Sequence, residues 1–153
     1  MNHSIRYVHT NLIAKDWKRL SKFYIDVFGC KPTGPERDLS GDWIDTVTEI
    51  KGVHIRGIHL LLPGYENNGP TLEIFQYTPD CPRDFKPLIN RPGFGHIAFL
   101  VDDVEGLLKK FIEHGGEQFG EMVQKDYPEL GLLTVVYAKD PECNFVEIQN
   151  WKK

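Results

Sequence analysis

The chain has 153 residues, 41% of them apolar and 26% charged, and 18 Lys+Arg against 22 Asp+Glu give a formal charge of −4. This is the balance of an ordinary globular domain, long enough to bury roughly 70% of its unfolded surface without disulfides or structural metal. The acidic balance argues against a nucleic-acid binder, no apolar run nears the ~20 residues of a membrane helix, and Met1 to Arg6 lacks the apolar stretch of a secretory signal, so a cytoplasmic protein is expected.

In chain order, a short apolar strand beginning at His9 turns at Asp16 into an amphipathic helix. Trp17, Leu20, Tyr24, Val27 and Phe28 point inward, and Asp16 caps the helix. Strand-like runs at Val53 to Leu62 and Thr71 to Thr78 flank a turn-rich stretch from Pro63 to Pro70, which reads as a hairpin connection. The segment 79–92 holds four prolines and reads as a linker. A second apolar strand from His96 then turns at Asp102-Asp103 into a helix. Val104, Leu107, Leu108, Phe111 and Ile112 share its inner face, and Gly115-Gly116 ends it. Two further strand-like runs, Gly131 to Ala138 and Asn144 to Trp151, flank the turn Lys139-Asp-Pro-Glu-Cys143.

The second half repeats the first. His9 to Asp16 aligns with His96 to Asp103 at an offset of 87 (96 − 9 and 103 − 16), held without a gap through Tyr24/Phe111 and Gly29/Gly116. Leu72-Glu73-Ile74 aligns with Val146-Glu147-Ile148 at an offset of 74 (147 − 73), so the second unit has lost 13 residues of loop (87 − 74). Each half therefore reads β-α-β-β-β. We expect a single α+β domain over 1–153, with repeat one at about 5–78, the linker at about 79–92 and repeat two at about 93–151.

The repeat places His9 and His96 on the first strand of each unit and Glu73 and Glu147 on the last. Buried carboxylates are costly unless paired or bound to metal. Two neutral imidazoles and two carboxylates suit Zn, Ni, Co, Mn or Fe(II) better than Ca or Mg. The opposing reading is four residues hydrogen-bonded in a metal-free pocket. His54 and His59 lie off the repeat and read as structural or surface residues, and His114 as a surface residue complementing a helix C-terminus. Asp16, Asp102 and Asp103 read as caps. Trp43 reads as packed or as a lid residue. Phe75, Tyr77 and Trp151 read as core more readily than as pocket lining. Cys30, Cys81 and Cys143, odd in number and widely spaced, read as reduced thiols.

These residues resemble the vicinal oxygen chelate superfamily, which includes glyoxalase I, methylmalonyl-CoA epimerase, extradiol dioxygenases and bleomycin-binding proteins. The resemblance runs from Ile5 to Trp151. It is carried by His9 with Asp16, Phe23-Tyr24 and Gly29, by Leu72-Glu73-Ile74-Phe75, by Gly95-His96-Ile97-Ala98-Phe99, and by Asp140-Pro141 with Asn144-Phe145-Val146-Glu147. It implies curved mixed sheets around a cleft, one divalent ion on His9, Glu73, His96 and Glu147, a small-molecule substrate, and a homodimer. Departures are Ile13 and Tyr77, where glyoxalase I has an arginine and an asparagine that hold glutathione, and Cys143 in place of the glycine of a DPxGN turn. The leading expectation is a lyase or isomerase acting on a substrate with neighbouring oxygens, with Glu147 or Glu73 as general base. The rivals are an Fe(II) dioxygenase using His9, His96 and Glu147, and a non-catalytic binding or resistance protein.

Overall fold

The computed structural model describes residues 5–82 and 86–153; positions 83–85 of the expected linker lie outside the described residues. The chain divides into two compact units with their boundary at Pro82. The first contains β1 (His9–Ile13), α1 (Trp17–Phe28), β2 (Lys31–Leu39), α2 (Asp42–Thr48), β3 (His54–Leu61) and β4 (Thr71–Thr78). The second contains β5 (His96–Leu100), α3 (Val104–Glu113), β6 (Glu117–Tyr127), β7 (Gly131–Lys139) and β8 (Phe145–Lys152). Each unit is a four-stranded mixed sheet, ordered β1-β4-β3-β2 in one and β5-β8-β7-β6 in the other. The first strand runs parallel to the last, and the remaining pairs are antiparallel. This is the α+β architecture of two β-α-β-β-β units expected from the repeat, and the glyoxalase-like fold that the resemblance implies, with one addition. Helix α2 is inserted only in the first unit; its seven residues are too few to show a clear apolar period.

Both strand-to-helix corners use the same device. The Asp16 carboxylate accepts the Arg19 N–H at 3.0 Å, and the Asp103 carboxylate accepts that of Gly106 at 2.9 Å. Each satisfies an amide that the first helical turn leaves unpaired. Asp102, also expected as a cap, precedes that position. Gly29 closes α1 at φ 72°, a left-handed conformation that costs glycine little, and donates its N–H to the Ile25 carbonyl. Helix α3 ends at its C-cap His114, whose Nδ1 lies 2.8 Å from the Lys110 carbonyl oxygen.

Helix α1 packs on β3 and β4, and α3 on β6, β7 and β8. Alternation along the strands then sorts the side chains. In the first unit Leu12, Ile58, Leu60, Leu72 and Ile74 are buried on the helix side with Leu20, Phe23, Tyr24 and Val27. In the second, Phe99, Val136, Ala138, Val146 and Ile148 are buried with Val104, Leu108 and Phe111. Ile112, expected on that inner face, is exposed. Eight residues beyond Val104 the helix has turned it about 80° from the contact. The face of each sheet opposite its helix carries His9, Asn11, His59, Glu73, Phe75 and Tyr77 in one unit and His96, Ala98, Tyr137 and Glu147 in the other.

Candidate metal centre

Strand register assembles each set. In the first unit, parallel pairing puts Asn11 beside Glu73, and the β3–β4 hairpin, closed at Leu61 and Thr71, puts His59 directly across from Glu73. In the second unit the same two relations put Ala98 and Tyr137 beside Glu147. The predicted residues thus come together as two His–Glu pairs, one per unit. His9 Nε2 lies 3.5 Å from Glu73 Oε2, and His96 Nε2 lies 3.1 Å from Glu147 Oε2.

His59, off the repeat and expected in a structural or surface role, also joins the first pair: it places Nε2 2.9 Å from Glu73 Oε1, with its side chain only 17% exposed. Its Nδ1 lies 3.3 Å from the Thr71 hydroxyl, and its ring meets the His9 ring edge-on at 5.7 Å and that of Phe75 at 5.9 Å. The available signal was the hairpin, because pairing the two strands about their turn brings 59 opposite 73. Gly57 makes room for this arrangement. It sits across from Phe75, where a Cβ would lie 2.1 Å from the Ile74 carbonyl oxygen and 2.5 Å from the Phe75 ring.

The two carboxylates are held differently. Glu73 accepts from Asn11 Nδ2 at 2.8 Å and faces both His9 and His59. Glu147 faces His96 and accepts the Tyr137 phenol, while Ala98 offers nothing where Asn11 bonds Glu73. Burial lowers the pKa of His59. The Glu73 charge pulls it back up, while Arg37 and His9 push it further down. The ring therefore favours its neutral, metal-binding form. Burial also raises the Tyr137 phenol, helped by its hydrogen bond to Glu147 and that carboxylate's charge, so it is a donor at neutral pH. Tyr77 is raised by burial and by the Glu73 charge.

One donor atom each from His9, His59 and Glu73 lies within 4.8 Å of the other two. Donors sharing an ion at bonds of ~2.1 Å stand about 3.0–3.4 Å apart for octahedral or tetrahedral angles, and each imidazole lies near that distance from one Glu73 oxygen, His59 from Oε1 at 2.9 Å and His9 from Oε2 at 3.5 Å. Two neutral nitrogen donors and one carboxylate also fit such an ion better than Ca or Mg, which favour all-oxygen sites.

A model of the Glyoxalase/Bleomycin resistance protein/Dioxygenase superfamily matches residues 6–148. The chain belongs to this superfamily. No curated protein sequence matches it. Among solved structures it is similar to a glyoxalase family protein from Bacillus cereus, with a TM-score of 0.84 at 18% identity over 99% of this chain and 97% of that one. A glyoxalase/bleomycin resistance protein/dioxygenase domain from Frankia sp. aligns with a TM-score of 0.60 at 17% identity, over 97% and 100% of the two chains. The trypanothione-dependent glyoxalase I of Leishmania major aligns with a TM-score of 0.61 at 23% identity, over 96% and 87%. At these identities the likeness is one of fold. Members of the superfamily commonly use a divalent metal and bind small molecules, often as dimers.

The remaining candidates fall outside this cluster. His54 pairs with Asp38 at 2.6 Å near the surface. Trp43, expected to be packed, is 56% exposed on α2. Phe75 is core, buried with Ile44, Val53 and Ile55 while Tyr77 packs against that group, and Trp151 lies against Tyr127. Cys30 is buried, Cys81 and Cys143 are exposed, and all three are free thiols. No helix among the described residues is long and apolar enough to cross a membrane.

Proposed function

We propose that this protein is a divalent-metal-dependent lyase or isomerase that moves a proton at the carbon beside a carbonyl, in a small substrate carrying two neighbouring oxygens. The observation that carries this reading is the repetition of one His–Glu pair in both units, His9 with Glu73 and His96 with Glu147. These four residues would hold the ion. When bound, the ion supplies Lewis-acid polarisation of the substrate oxygens.

The chain's own groups do the rest. Glu147 or Glu73 accepts the proton from carbon and returns it to a neighbouring atom. The Tyr137 phenol and His96 orient Glu147, and Asn11 and His59 orient Glu73. Exposed Ile13 and half-buried Tyr77 supply neither a cation nor an amide, which argues for a substrate other than a glutathione adduct. As in many relatives, the working form would be a homodimer.

The test is metal analysis of protein purified without chelator, followed by NMR detection of deuterium exchange at the α-carbon of hydroxyketones and thioesters in D2O. Exchange that disappears with EDTA and returns with Zn, Ni or Co supports the reading. Oxygen uptake with catechols under Fe(II), without exchange, would support the dioxygenase instead. Ligand binding with no metal dependence would support a binding module.

A further inference from the structure

The two units carry the same first-strand histidine and last-strand glutamate but differ at the third strand. Across from Glu73 stands His59; across from Glu147, in the same register relation, stands Tyr137. Both rings approach their unit's first-strand histidine edge-on, at 5.7 Å for His9 with His59 and 5.2 Å for His96 with Tyr137. The slot is therefore built alike and filled with different chemistry. An imidazole nitrogen is a good ligand for borderline first-row ions, whereas a neutral phenol is a hydrogen-bond donor and a poor ligand.

We propose that His59 is itself a metal ligand, so that the first unit alone supplies a three-donor anchor, His9, His59 and Glu73, for a divalent ion such as Zn or Ni. The proposal rests on the metal-dependent reading above and deepens it by adding a third ligand to the first unit's pair.

Two features support direct ligation. The Thr71 hydroxyl beside His59 Nδ1 can accept the proton of that nitrogen, leaving the Nε2 lone pair directed at the cluster. Ligating histidines commonly use their second nitrogen in this way. Glu73 meanwhile spreads its two oxygens between the imidazoles, Oε2 towards His9 and Oε1 towards His59. A cation among the three donors would relieve the lone-pair opposition that neutral His59 in that tautomer would otherwise face.

The experiment uses the full chain labelled with 15N-histidine, stripped with EDTA and titrated with Zn2+. Direct ligation should move the Nε2 resonance of His59 together with that of His9. An orienting role alone would leave it at its hydrogen-bonded position, and that result overturns the proposal. Calorimetry with Zn2+ and Ni2+ supplies the second reading. His59→Ala and the more conservative His59→Gln should each weaken affinity at least ~100-fold, the size expected for loss of a ligand, with apo melting curves confirming folded protein. A smaller loss, of the size a residue that only orients a ligand gives, also overturns it. If the wild-type chain binds no ion at all, the metal-dependent reading fails instead.

Discussion

Replacing Glu73 by Gln separates metal binding from folding. The Glu73 side chain is only 12% exposed, with contacts to Asn11 at 2.8 Å, His59 at 2.9 Å and His9 at 3.5 Å. Gln keeps the length and one acceptor oxygen. Its carbonyl can face Asn11 while its amide donates to His59 Nε2, provided the His59 ring moves its proton to Nδ1 and donates to Thr71. Both contacts then survive as neutral hydrogen bonds in place of charge-assisted ones. The difference is of order 1 kcal/mol per bond, offset in part because a largely buried charge no longer has to be desolvated. The apo protein should therefore lose about 1 kcal/mol, readable as a small shift of the urea midpoint at constant slope. An amide is a far weaker ligand than a carboxylate for a first-row divalent ion. Changes merely adjacent to a metal cost 10–100-fold in affinity, so loss of this ligand should cost at least ~100-fold, or about 2.8 kcal/mol, by calorimetry with Zn2+ or Ni2+. A Gln variant that unfolds readily yet binds the ion as tightly as wild type would show Glu73 to be a folding residue and refute the reasoning.

Four further outcomes are expected. Burial pushes the Cys30 thiol up to about 12 from 9.0, so its stabilising contribution is fully present below the unfolded value and is lost between pH 9 and 12. At ~1.4 kcal/mol per unit this loss reaches roughly 4 kcal/mol, to be followed by denaturation at rising pH against a Cys30→Ala control, and native protein should meanwhile alkylate at Cys81 and Cys143 but not at Cys30. Cys143 stands at φ 65° in a turn whose amides at Glu142 and Asn144 donate to the buried Asp140 carboxylate, both at 2.9 Å. Cys143→Gly should relieve a left-handed penalty of about 1–2 kcal/mol, partly cancelled by the greater unfolded freedom of glycine, for a net gain of up to about 1 kcal/mol in urea; a loss of that size would contradict it. Gly57→Ala drives a Cβ into the Ile74 carbonyl and the Phe75 ring, so it should cost about 1–3 kcal/mol and also weaken metal affinity by displacing His59, as melting and calorimetry would report. The hemithioacetal of methylglyoxal and glutathione should be turned over poorly by metal-loaded protein in the standard absorbance assay, because Ile13 and Tyr77 offer no charge or amide; rapid turnover would refute that argument.

The β-α-β-β-β organisation was legible because it rests on short-range physics. Apolar period, the aspartates that cap both long helices and the glycine that closes α1 act within one or two turns of chain. The offsets of 87 and 74 then show that the same local solution was used twice. His9, Glu73, His96 and Glu147 were legible as candidates for the same reason, each occupying an equivalent place in a repeated pattern. Helix α2 was not, since seven residues with Trp43 and Val47 turned outward carry no clear inward stripe. Nor was His59. Its meaning depends on a residue 14 positions away (73 − 59), and whether it meets Glu73 or the opposite face of the sheet turns on a single step of strand register. That register is set by the packing of Leu60 against Leu72 and Ile58 against Ile74 beneath α1, and by the space Gly57 leaves for Phe75. The repeat named the two carboxylates as equals; tertiary structure made them different, giving Glu73 an asparagine and a second imidazole and Glu147 an alanine and a phenol.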